Sequence, residues 1–264
     1  MTGGMKRKML AFVATVIIVI ASAYPATADL SLDVAPAKIE LQVAPGSTQT
    51  IPVTVRNSGT APMHIQTSMV DFGVNAGGDY VFSKAGANRY SLATWAQVNP
   101  REFDVPPNSF QLVRMTINVP QGISGEYSGI AFFQTRPLRH SGGGISFSER
   151  VASKIYLYSG NSVRIDGLID DLAVKQTAIG ERFLVGFKNT GTAHVYLSGR
   201  IEIRKGNDVV ARVPLQSQLL VERGGRRVIE AYSDKLVPGN YSALALIDFG
   251  GPNLAGGQTT FSVK

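Results

Sequence analysis

The sequence predicts an all-β protein built from two antiparallel β-sandwiches. Three observations predict it. Apolar residues alternate with polar ones over short runs at 51–55, 112–119, 183–187 and 197–203, the period of a strand with one buried face. Turn signals separate such runs: Pro45-Gly46, Asn57-Ser58-Gly59, Asn75 to Gly78, Pro106-Pro107-Asn108, Gly206-Asn207-Asp208 and Pro238-Gly239-Asn240. Two landmarks then recur in the same order. Asn57-Ser58-Gly59-Thr60-Ala61 returns as Asn189-Thr190-Gly191-Thr192-Ala193, and Gly125-Glu126-Tyr127-Ser128 returns as Gly239-Asn240-Tyr241-Ser242. A repeated pair of landmarks implies two copies of one module.

The chain opens with a segment of a different kind. Lys6, Arg7 and Lys8 precede an uncharged, mainly apolar run from Met9 to Ala23, and Ala26-Thr27-Ala28 supplies a small-residue cleavage pattern. The run is shorter than the roughly 20 residues that span a bilayer, so residues 1–28 read as a cleaved signal peptide. Cleavage after Ala28 takes three cations with it and lowers the formal charge from +7 to +4. The expected product is exported and periplasmic.

The first module is assigned to 29–165 and the second to 166–264, with the boundary near Ser162–Gly167. In each, the Asn-Ser/Thr-Gly element fits a turn between strands. The Asn side chain can bond its own backbone there, and the Gly can take positive φ. The Gly-x-Tyr-Ser element sits where an immunoglobulin-like sandwich often carries a tyrosine near the start of its sixth strand. Both modules are therefore expected to be immunoglobulin-like.

Composition excludes several functions. With 44% hydrophobic and 17% charged residues the chain is not a disordered one. The absence of cysteine excludes disulfide staples and thiolate chemistry, nucleophilic or zinc-binding. His64, His140 and His194 are far apart in sequence and lack metal-ligand spacing, so they read as ordinary polar residues. Asp170-Asp171 reads as a solvated linker, Gly142-Gly143-Gly144 as a flexible loop, and Arg223, Arg226 and Arg227 around Gly224-Gly225 as a solvated basic tip. No phosphate loop is present, and the basic residues form no large face with interleaved aromatics for nucleic acid. No enzyme, cofactor, metal site, nucleic-acid partner or small-molecule substrate is expected.

What remains is recognition through a strand edge. Ser31 to Leu41, with Lys38 near its centre, resembles the first strand of the periplasmic pilus-assembly chaperones. Asn57, Pro106-Pro107 and Gln111 to Arg114 follow in the order of that family's amino-terminal domain, and Ser153-Lys154-Ile155-Tyr156-Leu157-Tyr158 is similar to its last strand. The resemblance covers residues 30–160 and thins after 165. It implies two immunoglobulin-like domains set at an angle. It also implies a non-catalytic chaperone that lends an edge strand to an exported fimbrial or pilin-like subunit, with an outer-membrane usher as a further partner.

A subunit that lacks a strand exposes an open sheet edge and an apolar groove, an aggregation hazard. A chaperone can cover both with an alternating edge strand. The segment Ile145 to Ile155 alternates in this way, with Phe147 and Val151 as groove-filling candidates, while Ile155 and Leu157 are expected in the chain's own core. The resemblance also implies two cleft cations for the subunit's terminal carboxylate. The first falls on Lys38; the second falls on or two positions before Tyr156, which makes Lys154 the nearest candidate. Lysine offers a point charge without arginine's bidentate fork, and Lys38 also reads as a plain surface charge.

A second resemblance competes. Thr94-Trp95 to Pro106, followed by Val119 to Tyr127, looks like the sandwich domain of WxL-interacting cell-surface proteins. It implies an envelope-binding or structural module contacting cell-wall polymer or a surface protein, with Trp95 and Tyr90 as sugar contacts. The other reading of both rings is packing under the loop after Asn88.

Overall fold

Strands alone make up the regular structure. A computed structural model describes residues 31–137, 146–160 and 163–264, and among these no helix occurs. The expected signal peptide at 1–28, Ile145 and the Gly142–Gly144 loop lie outside the described residues. No described helix is long and apolar enough to cross a membrane.

The first ten strands form one sandwich. In chain order they are β1 (Leu32–Ala35), β2 (Lys38–Val43), β3 (Thr48–Asn57), β4 (Met63–Val74), β5 (Tyr80–Lys84), β6 (Ala96–Asn99), β7 (Glu102–Val105), β8 (Ser109–Asn118), β9 (Gly125–Thr135) and β10 (Arg150–Ser159). One sheet has the order β1-β3-β8-β6; the other runs β2-β10-β9-β4-β5, with β7 also on β4. All pairs are antiparallel except β2 with β10. The stretch predicted as one first strand is thus two, because the chain leaves the first sheet at Ala35 and joins the second at Lys38.

Alternation explains the burial. On β8, Val113, Met115 and Ile117 are fully buried while Phe110 and Leu112 stand on the outer face. With Val53, Val55, Ile65, Phe133, Ile155 and Leu157 they build the core between the two sheets. Strand β9 departs from simple alternation, being buried on both faces. Its Ile130 and Phe132 join Phe72 and Tyr156 in a second apolar cluster on the outside of the larger sheet.

The other eight strands, β11 (Gly167–Gln176), β12 (Glu181–Asn189), β13 (Val195–Lys205), β14 (Asp208–Pro214), β15 (Leu219–Val221), β16 (Arg226–Tyr232), β17 (Gly239–Asp248) and β18 (Ala255–Val263), pair only with each other. Phe183, Phe187, Leu197, Ile201, Ile203, Ala243 and Ile247 lie in their separate core. The architecture is two immunoglobulin-like sandwiches.

The repeated landmarks acquire distinct chemistry. Asn57 Nδ2 donates to the carbonyls of Ala61 (2.8 Å) and Val105 (3.0 Å), and its Oδ1 accepts from Gly59 N–H. Asn189 does the same with Ala193, Val221 and Gly191 N–H. The glycines correct the expectation, since neither Gly59 nor Gly191 has positive φ. At Gly191 the requirement is space: a Cβ would run into the Arg164 carbonyl. Tyr241 is a tyrosine corner, its hydroxyl donating to the Val237 carbonyl at 2.7 Å. Tyr127 instead packs against Trp95, with ring centroids 4.7 Å apart.

Two other expectations are corrected. Asp170 and Asp171 are not linker; both lie in β11, where Asp170 is the extra residue of a bulge between Ile169 and Asp171, and Asp170 Oδ2 accepts from Arg226 Nε at 2.8 Å. The arginine tip is not free in solvent either: Arg226 is held by Asp170 within the second sandwich, and Arg223 donates to carbonyls of the first.

Candidate functional site

Strand β10 carries two of the four predicted residues, Val151 and Lys154; Phe147 precedes it and Lys38 opens β2. Strand β10 pairs with β9 along its whole length, but β2 joins its other side only from Lys154 onward. Arg150 to Ser153 therefore have no strand on that side among the described residues. The neighbouring chain is held by side chains instead. Ser153 Oγ donates to the Pro36 carbonyl (2.7 Å), and Glu149 Oε2 accepts the Leu32 N–H (3.0 Å). Glu149, the charge that interrupts the alternating row, caps the start of β1.

Side chains leave β10 in opposite directions by turns. Val151, Ser153, Ile155 and Leu157 face the first core, where Ile155 and Leu157 are fully buried and Val151 is packed at the margin. Phe147, just before the strand, is 62% exposed. The other face carries Lys154, Tyr156 and Tyr158.

Lys38 and Lys154 lie side by side, Cα partners in the parallel β2–β10 register. Their heads diverge. Lys38 Nζ pairs with Glu40 at 2.9 Å and lies 5.9 Å from the centroid of Tyr196, a residue of the second sandwich. The Glu40 hydrogen bond holds the Lys38 ammonium above its ordinary pKa, so it stays charged. Lys154 Nζ donates to the Tyr80 hydroxyl (2.8 Å) and sits 4.8 Å from that ring. It makes no ion pair among the described residues.

Tyr156 occupies the position two residues beyond Lys154 and is fully buried. Its ring stacks on His194 at 4.0 Å, and its hydroxyl donates to Glu222 Oε1 at 3.1 Å. Burial pushes the Tyr156 phenol far up, keeping it a donor. This residue belongs to a polar seam between the sandwiches. Glu126 Oε2 lies 2.6 Å from His194 Nδ1 and accepts the His194 N–H at 3.1 Å. Arg223 Nη1 donates to the carbonyls of Ser124 (3.2 Å) and Glu126 (2.9 Å), while its guanidinium lies 3.8 Å over the Tyr90 ring. Glu126 N–H donates to the Thr192 carbonyl and Val228 N–H to the Ala76 carbonyl.

Sequence reasoning missed this seam. His194 is 8% exposed and Glu126 is 1% exposed, so neither is an ordinary surface group. The repeated turn gave the only available signal, because His194 follows it directly. Burial, and then the charge of Glu126, raise the Glu222 carboxyl to about 7. Trp95 packs against Tyr127, and Tyr90 lies under Arg223. His64, by contrast, is the ordinary residue expected, with Nδ1 2.7 Å from Asp104.

No protein-family model matches the chain, and no curated protein matches it. Solved structures do. A chain of a chaperone–tip adhesin complex of CFA/I fimbriae has a TM-score of 0.51 at 14% identity, the match covering 87% of this chain and 98% of that one. The class 5 fimbriae chaperone CfaA gives 0.48 at 13% identity, covering 87% and 98%. The chaperone DraB of E. coli gives 0.46 at 13% identity, covering 89% and 98%. At such identities the likeness is one of fold: this chain has the two-sandwich fold found in periplasmic chaperones of pilus assembly.

Proposed function

We propose that the chain is a non-catalytic periplasmic chaperone that binds an exported fimbrial or surface subunit by β-strand addition. The observation that carries the reading is the one-sided start of β10. Arg150 to Ser153 present backbone groups with no strand opposite them, directly after the exposed Phe147. An incomplete subunit offers the complement, an unpaired edge beside an apolar groove. Phe147 and Val151 fill that groove, and Lys38 and Lys154, in register at the end of the free stretch, attract the subunit's terminal carboxylate. Export through a leader at 1–28 and release of the subunit to an outer-membrane usher belong to the same reading. The fold likeness to fimbrial chaperones supports it.

Affinity capture from periplasm with the tagged full chain tests it. The expected result is a short-lived complex with a secreted subunit, which Phe147→Ser with Val151→Ser weakens. Each lost burial is worth roughly 1.5–3 kcal/mol, so affinity falls by about two to four orders of magnitude. Lys38→Ala weakens capture in a salt-sensitive way, since exposed charge contacts are screened. Co-sedimentation with purified cell wall and no captured subunit would overturn the proposal.

A further inference from the structure

The second sandwich carries a cluster of charge that neither the strand edges nor the seam uses. Strand β13 turns the fully buried Ile201 and Ile203 into its core, and Arg200, Glu202 and Arg204 onto the outer face. Arg212 of β14 is the cross-strand partner of Glu202, so the four side chains share one face. All three guanidiniums converge on that carboxylate. Arg204 Nη2 donates to Oε2 at 2.7 Å, Arg200 Nε donates to Oε1 at 3.2 Å, and Arg212 Nε lies 3.7 Å from Oε1. The hydrogen bonds from Arg204 and then Arg200 hold the Glu202 carboxyl below its ordinary pKa, so it stays charged.

The cluster is unbalanced. Three positive charges meet one negative charge, and none of the three arginines pairs with another carboxylate among the described residues. Its donors are also underused. Arg204 Nε is buried without an acceptor, and Arg212 makes no hydrogen bond among the described residues. Glu202 is 6% exposed whereas the Arg212 side chain is 65% exposed, so an incoming anion meets guanidinium rather than carboxylate. Ser242 of β17 is the cross-strand partner of Arg204, and with Asn240, Thr260 and Ser262 it lines a cleft of about 380 Å³. Hydroxyl and amide side chains thus stand directly beside the cationic cluster.

We propose that this face of the second sandwich binds a phosphorylated sugar. The two surplus positive charges match a phosphate monoester, which carries roughly two negative charges at neutral pH. Guanidinium forks offer phosphate oxygens paired donors, and Arg212, with no hydrogen bond of its own, has its whole fork to give. The sugar's hydroxyls find partners in the hydroxyl and amide groups of the neighbouring cleft, where an acyl chain would leave those groups unpaired. Every residue involved belongs to the second sandwich, so the inference does not depend on the proposed function.

Titration of the full mature chain with inorganic phosphate, glucose 6-phosphate and glucose tests it, with binding followed by backbone amide shifts. Inorganic phosphate should shift Arg200 to Arg204 and Arg212. Glucose 6-phosphate should bind at least threefold tighter and also shift Ser242 and Thr260, while glucose alone binds too weakly to measure. Arg200→Gln with Arg212→Gln should weaken both phosphates at least tenfold. Arg212→Gln alone breaks no hydrogen bond, so it should leave the melting temperature within about 2 °C and still weaken both phosphates at least threefold. Thr260→Val should remove the preference for glucose 6-phosphate and leave inorganic phosphate within about twofold. Lys175→Gln with Lys188→Gln removes two exposed charges elsewhere on this sandwich and should change neither affinity. An equal loss in that control would reduce the effect to net charge and overturn the proposal. So would undiminished phosphate binding by the arginine variants, equal affinity for the two phosphates, or shifts confined to strands other than β13, β14 and β17. Capture by phosphatidic acid vesicles without binding of either soluble phosphate would overturn it as well.

Discussion

Glu222 shows how one residue ties the two sandwiches to pH. Its carboxyl titrates near 7 in the folded chain because burial removes water and Glu126 adds a second negative charge. The unfolded chain returns it to the ordinary value of 4.5. The folded state therefore holds this proton more tightly, and between those limits stability falls as pH rises. The contribution is fully present below about pH 4.5 and gone above about pH 7, a difference of about 3 kcal/mol at 1.36 kcal/mol per unit. Glu222→Gln keeps an acceptor for Tyr156 and removes the titration. The variant should match the parent near pH 4.5 and exceed its stability at pH 8, measured by urea denaturation at both pH values. A difference that does not change with pH would sink the assignment. At this scale the sequence was half legible. Asn57 and Asn189 were readable as turn residues because a short amide bonding its own backbone is a local event. His194, Glu126 and Glu222 were not, because they are 68 and 28 residues apart and meet only across two folded units.

The strands divide along the same line. β3, β8, β12 and β13 show in the sequence because one face is wet and the other dry, which forces alternation. β5 has no dry face, and β9 has no wet one, so neither carries that period. The parallel pairing of β2 with β10 brings Lys38 beside Lys154. The resemblance named both residues but could not give their register. Strand β10 also separates two roles that the sequence had joined. Phe147 is exposed before any partner arrives, whereas Val151 already leans on the first core. Phe147→Ser should leave the melting temperature within about 2 °C and still weaken subunit capture. Val151→Ser should weaken capture and also destabilise the free chain by about 1–2 kcal/mol, the range for losing part of a buried aliphatic side chain. Thermal melts and capture on each single variant check this; a stability loss for Phe147→Ser equal to that of Val151→Ser would show that both are simply core.

At the scale of the whole molecule, each sandwich has its own core and closed set of strand pairs, and they meet through polar contacts at the seam. A polar seam of this kind leaves each unit able to fold alone. The internal repeat made the number of units legible, but it could not place the cut. The connection before β11 is tied into the second sandwich. Thr192 N–H donates to the Arg164 carbonyl, Arg164 N–H donates to Thr192 Oγ1, and Ile165 packs on the second core. Residues 163–264 should therefore fold as a cooperative β unit. Residues 166–264, the division read from sequence, should fold less stably. The shorter fragment lacks one half-buried apolar side chain and the Arg164 hydrogen bonds. Burial of such a side chain contributes about 1–2 kcal/mol, and each hydrogen bond about 1 kcal/mol net. The expected gap is about 2–4 kcal/mol, read as a lower melting temperature by circular dichroism with the β-type spectrum retained. In either fragment the seam is open to water, so Glu222 loses its burial and the charge of Glu126, and the pH dependence assigned to it should vanish. Equal melting of the two fragments would place the boundary at 166. A protease-sensitive, non-cooperative 163–264 would mean that the second sandwich needs the first in order to fold.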